Sequence, residues 1–510
     1  MNDNTPVIIG VGEASERVDT ADYRARSPAD LAALAASAAL TDALDGHALA
    51  AHIQVIAAIR QFEVSGLNAA APFGRADNFP RAVARRIGAN PQRAVLEPVG
   101  GQGPQHLVNE FANAIGAGET DLVLLCGSEA ISTVRHLSSK GQHPDWSETL
   151  GGQLEDRGLG DLAISSELIR HGARSAISLY ALFENARRAR LGMNRADYAL
   201  AMGRLFAPFT SVAATNPHAM AREVRTAEEL ATVTAENRLT SDPFTRRLVS
   251  RDQTNQGAAV LLASRGRALA LGVPEDKLVY LHGGADARER DPLDRLDYSS
   301  GPASILALQY ALAHAGMALA DISAFDFYSC FPIAVFNALD GLGMRADDPR
   351  PLTVTGGLPF FGGAGNNYSM HAIASMVRRL RANRRETGLV AANGGALSKD
   401  SVGIYAARPA AWRPLDSSAL QATVDAWPAH PRAAGNGEGI VETYTIDYSG
   451  KSPAGMVVGK LGGSGARFVA MTGGDASVVE TMIVREPLGA RVQVQVGDDG
   501  RSIIRSITPA

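Results

Sequence analysis

The sequence predicts an α/β fold in two similar halves, followed by a small antiparallel β domain. Continuous apolar strands alternate with helices in the first 130 residues, which is typical of a sheet covered on both faces. The same strand–turn–helix rhythm returns after Pro274. Near the C-terminus, short segments alternate apolar and polar residues between glycine turns, as in a small barrel or sandwich. We therefore expect domains at 1–265, 266–412 and 413–510.

The first half begins with a strand and a well-capped helix. Ser27 is expected to cap the helix at 27–44, and Pro28 suits its first turn. A long insertion at about 131–250 is polar and arginine-rich, with weak strand signals, and is expected to cover one end of the sheet. The other predicted elements of this half are strands at 6–12, 55–60, 93–99, 121–130 and 255–264, and a helix at 105–117.

The second half repeats this order and ends at a segment rich in Pro, Ala and Gly. Two such stretches, 406–415 and 427–439, mark a domain boundary. The predicted elements before it are strands at 277–284, 324–331 and 388–395, helices at 301–316, 333–342 and 368–383, and a glycine turn at 356–367. The strands expected after it are V-E-T-Y-T-I-D-Y, A-R-F-V-A-M-T, V-E-T-M-I-V-R-E and A-R-V-Q-V-Q-V.

Composition and charge exclude several classes of protein. The chain is 45% hydrophobic and 20% charged, with a formal net charge of −4 and no long basic run, so neither nucleic acid nor a membrane is an expected partner. Only two cysteines occur, which fits a reducing compartment. Neither a signal peptide nor a transmembrane span is visible, and we expect a cytoplasmic protein.

Common cofactor and metal motifs are absent from the sequence. It contains no G-x-x-x-x-G-K-[ST], G-x-S-x-G, H-E-x-x-H or C-x-x-C. Gly10 and Gly12 follow a strand, but Ser15 stands where a dinucleotide fingerprint has its third glycine. The histidines lack metal-ligand spacing. We expect no metal and no tightly bound cofactor.

The order of motifs over residues 5–410 resembles the thiolase superfamily. The motifs are V-I-I-G-V-G, the run P-V-G-G-Q-G-P-Q-H that opens a helix at 98–106, C-G-S-E-A-I-S, N-Q-G-A-A-V-L-L-A-S, D-F-Y-S-C-F-P, G-G-L-P-F-F-G-G-A-G and A-N-G-G-A-L-S-K-D-S-V-G-I-Y. The similarity is greatest to the sterol-carrier-type thiolases, and within them to the thiolase-like protein type 1 group, which adds a small C-terminal domain. It implies a five-layer αβαβα core, coenzyme A or acyl-CoA as ligand, and acyl-transfer or Claisen chemistry.

The family's catalytic positions are altered in this chain. The resemblance places the nucleophilic cysteine at Gly100, the histidine of the Gly-His-Pro turn at Gly363 and the cysteine of the Cys-x-Gly turn at Asn393. The His-Asp-Cys-Phe motif of sterol-carrier-type members becomes Y-S-C-F at 328–331. Because glycine has no side chain that could carry an acyl group, thiolysis by two cysteines is not expected.

The remaining candidates for chemistry lie in these same turns. Cys330 is a candidate displaced nucleophile or acid/base, although core packing is the alternative for a buried cysteine. His371, near the lost Gly-His-Pro turn, is its candidate base, and Asn393 is a candidate oxyanion donor. Backbone donors expected to polarise the thioester carbonyl belong to Gly100, Gly101, Gly103 and Gly394. The resemblance also makes the arginines of the insertion candidates for phosphate contact, namely Arg187, Arg188, Arg190, Arg246 and Arg247.

Three hypotheses for function follow. The leading one is a coenzyme-A-thioester acyltransferase with a rebuilt active site centred on Cys330 and His371. The second is a non-catalytic acyl-CoA-binding protein that keeps the pocket without the chemistry. In the third, the C-terminal domain recruits a partner, or covers the dimer face used by ordinary thiolases and leaves a monomer. Over all three hypotheses, the expected state is a monomer or a homodimer.

Overall fold

The computed structural model describes residues 2–44, 47–66, 71–161, 164–173 and 175–509. Its strands are β1 Pro6–Ser15, β2 Val55–Ile59, β3 Arg93–Glu97, β4 Leu122–Ala130, β5 Glu155–Asp156, β6 Leu239–Ser241, β7 Phe244–Thr245, β8 Asn255–Ser264, β9 Val279–Arg288, β10 Ala324–Phe327, β11 Thr387–Gly394, β12 Lys399–Ala406, β13 Gly437–Asp447, β14 Ala454–Leu461, β15 Arg467–Thr472, β16 Arg491–Val496 and β17 Ser502–Thr508.

The helices complete the inventory of elements. They are α1 Pro28–Ala43, α2 Phe79–Ile87, α3 Gly103–Gly116, α4 Ile131–Ser139, α5 Ser166–Arg170, α6 Ala176–Arg190, α7 Arg195–Thr215, α8 Ala227–Ala231, α9 Arg265–Ala270, α10 Pro302–Ala315, α11 Pro332–Leu342, α12 Tyr368–Ala382, α13 Ser418–Asp425 and α14 Ala476–Val484. Among the described residues, no helix combines the length and apolar character needed to span a membrane.

The main sheet contains both halves of the chain. Its strand order is β10-β11-β12-β9-β1-β8-β4-β2-β3-β5, and the short pairing of β1 with β9 joins the halves. In each half the first strand pairs antiparallel with the last, β1 with β8 and β9 with β12. The strands β2, β3 and β4 pair in parallel in the first half, as do β10 and β11 in the second. The predicted duplication of an α/β unit is confirmed.

Helices form three layers around the two halves of the sheet. Helices α3 and α12 contact one another in the middle and pack between the halves, α3 against β12 and α12 against β8. Helix α1 covers the outer face of the first half together with α2, and α10 covers that of the second half together with α11. The result is the αβαβα arrangement expected from the thiolase resemblance.

Glycines let the outer helices approach the strands very closely. A Cβ built on Gly12 of β1 would lie 2.0 Å from the Ala35 carbonyl oxygen of α1, and one on Gly283 of β9 would lie 2.6 Å from the Ala311 carbonyl oxygen of α10. Because backbone atoms cannot move aside as a flexible side chain can, only glycine fits at either position. Both halves therefore seat their outer helix in the same way, although their sequences differ.

The insertion pairs with and packs against the C-terminal domain. Its hairpin β6–β7 extends the sheet of that domain through the pair Ser241–Asp447, and α6 packs on β13. The fully buried Arg188 of α6 forms an ion pair with Glu486 at 2.7 Å (Nη1–Oε2). Such a buried guanidinium needs its carboxylate partner, because an unpaired charge inside a protein is costly.

The C-terminal strands close into a five-stranded barrel in the order β13-β14-β15-β17-β16 and back to β13. The predicted small β barrel is confirmed, and four of its five strand pairs are antiparallel; the exception is β15 with β17, which pair in parallel. One predicted strand was wrong. The segment V-E-T-M-I-V, expected as a strand, lies in α14, because Val478, Val479 and Met482 share one buried helical face and Asp475 caps the helix.

The two edge strands of the main sheet are β10 and β5. Strand β10 ends at Phe327, four residues earlier than expected, so Cys330 lies in the following loop rather than on a strand. Strand β5 pairs in parallel with β3 and so covers that edge of the sheet. Arg157, just after β5, strengthens this cover through ion pairs with Glu97 (2.9 Å) and Glu110 (2.7 Å).

Gly12→Ala is expected to destabilise the fold. The new methyl group would overlap the backbone of α1, and such overpacking typically costs roughly 1–3 kcal/mol. Urea unfolding followed by circular dichroism measures this free energy. The control is Gly474→Ala, because a Cβ there has no atom within 4 Å. Equal stability of both variants would contradict the proposed seating of α1.

Candidate functional site

Two glycine turns, one from each half, meet backbone to backbone at the centre of the molecule. The first turn comprises residues 100–103 and leads into α3. The second turn follows Asn393 at the end of β11. A Cβ on Gly101 would lie 2.6 Å from the Asn393 carbonyl oxygen, and one on Gly394 would lie 2.9 Å from the Gly101 nitrogen. The facing positions of these turns therefore have no room for side chains.

Gly100, at the position where the resemblance expects a nucleophile, is closed by its conformation and by Gln102. Its φ of +149° is one that side-chain-bearing residues rarely adopt, and a Cβ would lie 2.0 Å from Gln102 Oε1. The same oxygen would lie 2.2 Å from a Cβ on Gly394 and has no hydrogen-bond partner. A cysteine at position 100 would require both a strained backbone and a displaced Gln102.

Polar side chains hold the first turn in place through hydrogen bonds to its backbone. The Gly100 N–H donates to Asn366 Oδ1 (3.2 Å), and Ser369 Oγ donates to the Gly101 carbonyl (2.9 Å). Lys399 Nζ donates to the Val99 carbonyl (2.8 Å). Gly103 is the first residue of α3, two residues before the predicted start of this helix at 105. Among the described residues, neither the Gly101 N–H nor the Gln102 N–H has an acceptor, so both are free donors of this turn.

A group of hydrogen-bonding side chains, the donor cluster, faces these turns. It consists of Tyr180, Tyr328, Cys330 and Asn393. The Tyr180 hydroxyl lies 3.1 Å from Asn393 Oδ1 and stands, with the Asn393 amide, within hydrogen-bonding reach of the Cys330 thiol. The Tyr328 hydroxyl lies 2.2 Å from the position of a Cβ on Gly101. The structure thus brings the predicted residues Cys330, Asn393 and Gly101 together.

Burial keeps the donor cluster uncharged. It raises the pKa of the Cys330 thiol to about 12, despite the hydrogen bonds from Tyr180 and Asn393 that act in the other direction. Burial likewise raises the pKa values of Tyr180 and Tyr328 above their ordinary range. At neutral pH all three groups keep their protons. The single Tyr180 proton is used within the protein, by Asn393 Oδ1 (3.1 Å) or the Gly395 carbonyl (3.0 Å), which leaves the Tyr328 hydroxyl and the Cys330 thiol as donors. A thiolate, which is the nucleophilic form of cysteine, is disfavoured here.

His371 is placed in a different environment. It lies on α12, fully buried, with Nδ1 2.6 Å from Glu13 Oε1 and its ring edge-on to Phe361. Although burial raises the pKa of Glu13, the hydrogen bond from His371 and the charges of His371 and Arg378 hold it at about 2. Within the described residues no hydrogen bond joins His371 to Cys330. The expected nucleophile–base pair is therefore not assembled.

At Gly363, the position expected for the Gly-His-Pro histidine, the space for a side chain is also occupied. A Cβ there would lie 2.2 Å from Ser250 Oγ, and the Gly363 N–H donates to the Arg251 carbonyl (2.7 Å). The Ser250 N–H in turn donates to the Cys330 carbonyl (2.9 Å). The segment 250–251 thus ties the loop of Cys330 to the turn that contains Gly363.

Several contributors to the site were missed at the level of sequence. Tyr180 lies in the insertion, where no motif singles it out, and Tyr328 stands at the histidine position of the His-Asp-Cys-Phe motif. Glu129 comes from C-G-S-E-A and accepts a hydrogen bond from the Phe62 N–H (2.7 Å). Burial raises the pKa of Glu129 to about 8, so it is a neutral acid at pH 7. Its position in a known motif was the only available signal.

Most of the insertion's candidate arginines form ion pairs within the protein. Arg187 and Arg190 pair with Asp340, Arg188 pairs with Glu486, and Arg247 pairs with Glu236.

Arg246 lies instead in an arginine patch with Arg17 and Arg251. Partial burial of the guanidinium and the charges of the neighbouring Arg246 and Arg17 lower the pKa of Arg251, although the residue as a whole keeps an exposed surface. Arg246 and Arg251 are exposed, and neither has an ion pair within 4 Å among the described residues. The carboxylates whose charges act on Arg251, Asp19 and Asp252, form ion pairs with Arg17 and Arg135, so Arg246 and Arg251 are the arginines suited to an anion. No group of His, Cys, Asp and Glu side chains in the described part of the chain is arranged to hold a metal ion.

Slow alkylation of Cys330 is expected from its environment. Raising a thiol pKa from 9.0 to about 12 lowers the thiolate fraction at pH 8 by about a thousandfold. In a Cys126→Ala background, iodoacetamide labelling followed by mass spectrometry should be at least that much slower in the folded chain than in urea. Labelling of the folded chain at the rate of a free cysteine would contradict the neutral donor cluster.

Comparisons with known proteins agree with this architecture. The family model "thiolase-like protein type 1 additional C-terminal domain" matches residues 419–501, and no curated protein matches the chain. The dimeric peroxisomal thiolase of Saccharomyces cerevisiae is similar in fold, with 18% identity, a TM-score of 0.55 and coverage of 80% of this chain and 98% of the other. A monomeric SCP2-thiolase-like protein type 1 from Mycobacterium smegmatis has 44% identity, a TM-score of 0.85 and 99% coverage of both chains. The chain therefore belongs to the family of SCP2-thiolase-like proteins of type 1.

Proposed function

We propose that the chain binds an acyl-CoA thioester between its two halves without forming an acyl-cysteine. The observation that carries this proposal is the neutral donor cluster around Cys330. It offers hydrogen-bond donors beside two glycine turns, and neither a thiolate nor a paired base accompanies it. Such a site suits a carbonyl oxygen, which accepts hydrogen bonds, better than it suits nucleophilic attack.

The thioester carbonyl would be held by donors from both halves. Asn393 Oδ1 accepts from the Tyr180 hydroxyl, which leaves the Asn393 Nδ2 group to donate. The free Gly101 N–H and the Tyr328 hydroxyl lie beside it. Gln102 caps the same space with an unpartnered Oε1, so we expect its side chain to move when the ligand enters.

The arginine patch is the proposed contact for the phosphates of coenzyme A. Arg251 directly follows Ser250, whose N–H donates to the Cys330 carbonyl, so the patch begins close to the donor cluster. Exposed guanidinium groups without a carboxylate partner form strong hydrogen bonds to phosphate.

Acyl transfer through Cys330 and His371 is the competing hypothesis. The position of Cys330 beside the two glycine turns favours it. The raised pKa of the thiol and the engagement of His371 with Glu13 weigh against it. The two hypotheses differ in whether a covalent adduct forms.

Acetyl-CoA is expected to bind saturably without acylating the protein. Isothermal titration calorimetry measures binding. Intact-protein mass spectrometry after mixing would detect an acetyl adduct by its added mass. Cys330→Ala should leave binding within about threefold, because the cluster keeps its other donors. An adduct that disappears in Cys330→Ala but persists in Cys126→Ala would establish acyl transfer instead, and no binding would defeat both hypotheses.

Arg251→Ala is expected to weaken acetyl-CoA binding by about tenfold, since a phosphate contact is worth on the order of 1.4 kcal/mol. Binding of S-acetyl-pantetheine, which lacks the nucleotide, should not change. The matched control is Arg345→Ala, an exposed arginine paired only with Asp347. An equal loss for both ligands, or no loss for either, would place the phosphates elsewhere.

A further inference from the structure

A cavity lies on the outer side of the first half, where two helices begin. The start of α1, the loop after β2 and the segment that leads into α2 surround it. With its open mouth included, the cavity measures about 380 Å³, which is in the size range of sites for small molecules. We call this cavity the outer pocket. Its walls include Ala29, Gln61, Glu63, Arg75, Phe79 and Trp146.

The outer pocket is distinct from the donor cluster, none of whose four residues lines it. The loop after β2 contacts both regions. It contributes Gln61 and Glu63 to the pocket, while its Phe62 N–H donates to Glu129 and its Ser65 Oγ accepts from Asn366 Nδ2 (2.9 Å). A ligand of the outer pocket would therefore be a second ligand, besides acyl-CoA.

One wall of the outer pocket presents hydrogen-bond donors. The capping box of α1 joins Ser27 to Asp30, and the Ala29 N–H between them has no acceptor among the described residues. Gln61 is only 9% exposed, and its Nε2 is buried without a partner in the described part of the chain. Arg75 is exposed and forms no ion pair with any described residue. A helix N-terminus, an amide and a guanidinium together suit a carboxylate.

Glu63 presents the opposite charge to the same cavity. Its side chain is partly buried, and it has neither a hydrogen bond nor an ion pair with the described residues. Burial raises the pKa of Glu63 more than the charge of Arg135 lowers it, so the carboxylate lacks a full counterpart within the protein. An ammonium group beside Glu63 would supply that counterpart.

Two aromatic rings form the apolar wall of the outer pocket. Phe79 is buried at the first turn of α2. Trp146 is held edge-on to Phe73, with the ring centroids 5.0 Å apart. Rings fixed in this way can receive an aliphatic side chain without first having to be ordered, and an indole face also attracts an ammonium group.

We propose that the outer pocket binds a small α-amino acid with an apolar side chain. Its carboxylate contacts the donor wall, its ammonium group contacts Glu63, and its side chain packs against the two aromatic rings. A ligand with both charges fits this cavity better than an ion of either sign alone. Glu63 would repel a simple anion, and Arg75 would repel a simple cation.

Isothermal titration calorimetry of the full chain tests the two charges separately. L-Leucine should bind saturably, whereas isocaproate, which lacks the ammonium group, and isoamylamine, which lacks the carboxylate, should each bind at least about tenfold more weakly. Glu63→Gln should weaken leucine binding about tenfold without weakening isocaproate. Arg75→Ala should weaken leucine binding without weakening isoamylamine. The matched controls are Glu480→Gln, an exposed glutamate of α14, and Arg345→Ala, and they should change neither affinity.

Tryptophan fluorescence reports independently on the position of the ligand. The chain contains three tryptophans, and leucine should change the emission of the natural chain but not that of Trp146→Phe. Absence of saturable leucine binding would overturn the proposal, and so would binding of isocaproate or isoamylamine as tight as that of leucine. Leucine binding that is unchanged in both Glu63→Gln and Arg75→Ala would place the amino acid elsewhere and overturn it as well. Both side chains are partly exposed, so these variants should unfold at the temperature of the natural chain.

Discussion

The contact of two glycine turns, backbone against backbone, is the constraint on which the rest of the site depends. Gly101 and Gly394 approach so closely that neither has room for a Cβ atom. This contact joins the two halves of the fold at the N-terminus of α3. It also decides what the site can contain, because chemistry must come from side chains that reach the turns from outside them. Those side chains are Tyr180, Tyr328, Cys330 and Asn393.

The altered catalytic positions have surroundings of their own that fit glycine. Gly100 has a conformation that favours glycine, and Gln102 occupies the space that a side chain at position 100 would need. Gly363 is similarly enclosed by Ser250. A cysteine at position 100 would therefore require a strained backbone, whereas a side chain at position 363 would first have to displace the Ser250 hydroxyl. What remains is a set of neutral donors, which suits recognition of a carbonyl.

Much of the fold could be predicted from the sequence, because strand and helix periodicity are local properties. The capped start of α1 and the strand β8 are examples. The segment containing Val479 and Met482 could not be assigned, since a short apolar run fits a strand or a helix equally well until its packing is known. Sequence order also could not show that Tyr180 of the insertion reaches Asn393, or that His371 turns toward Glu13. Those contacts depend on tertiary packing between distant segments.

A crystal structure of the chain soaked with acetyl-CoA would test the central claim most directly. The account predicts an intact thioester, with its carbonyl oxygen within hydrogen-bonding distance of Asn393 Nδ2 and the Gly101 nitrogen, and a displaced Gln102 side chain. Continuous density between the acetyl group and Cys330 Sγ would contradict it. So would a coenzyme whose thioester lies away from both glycine turns.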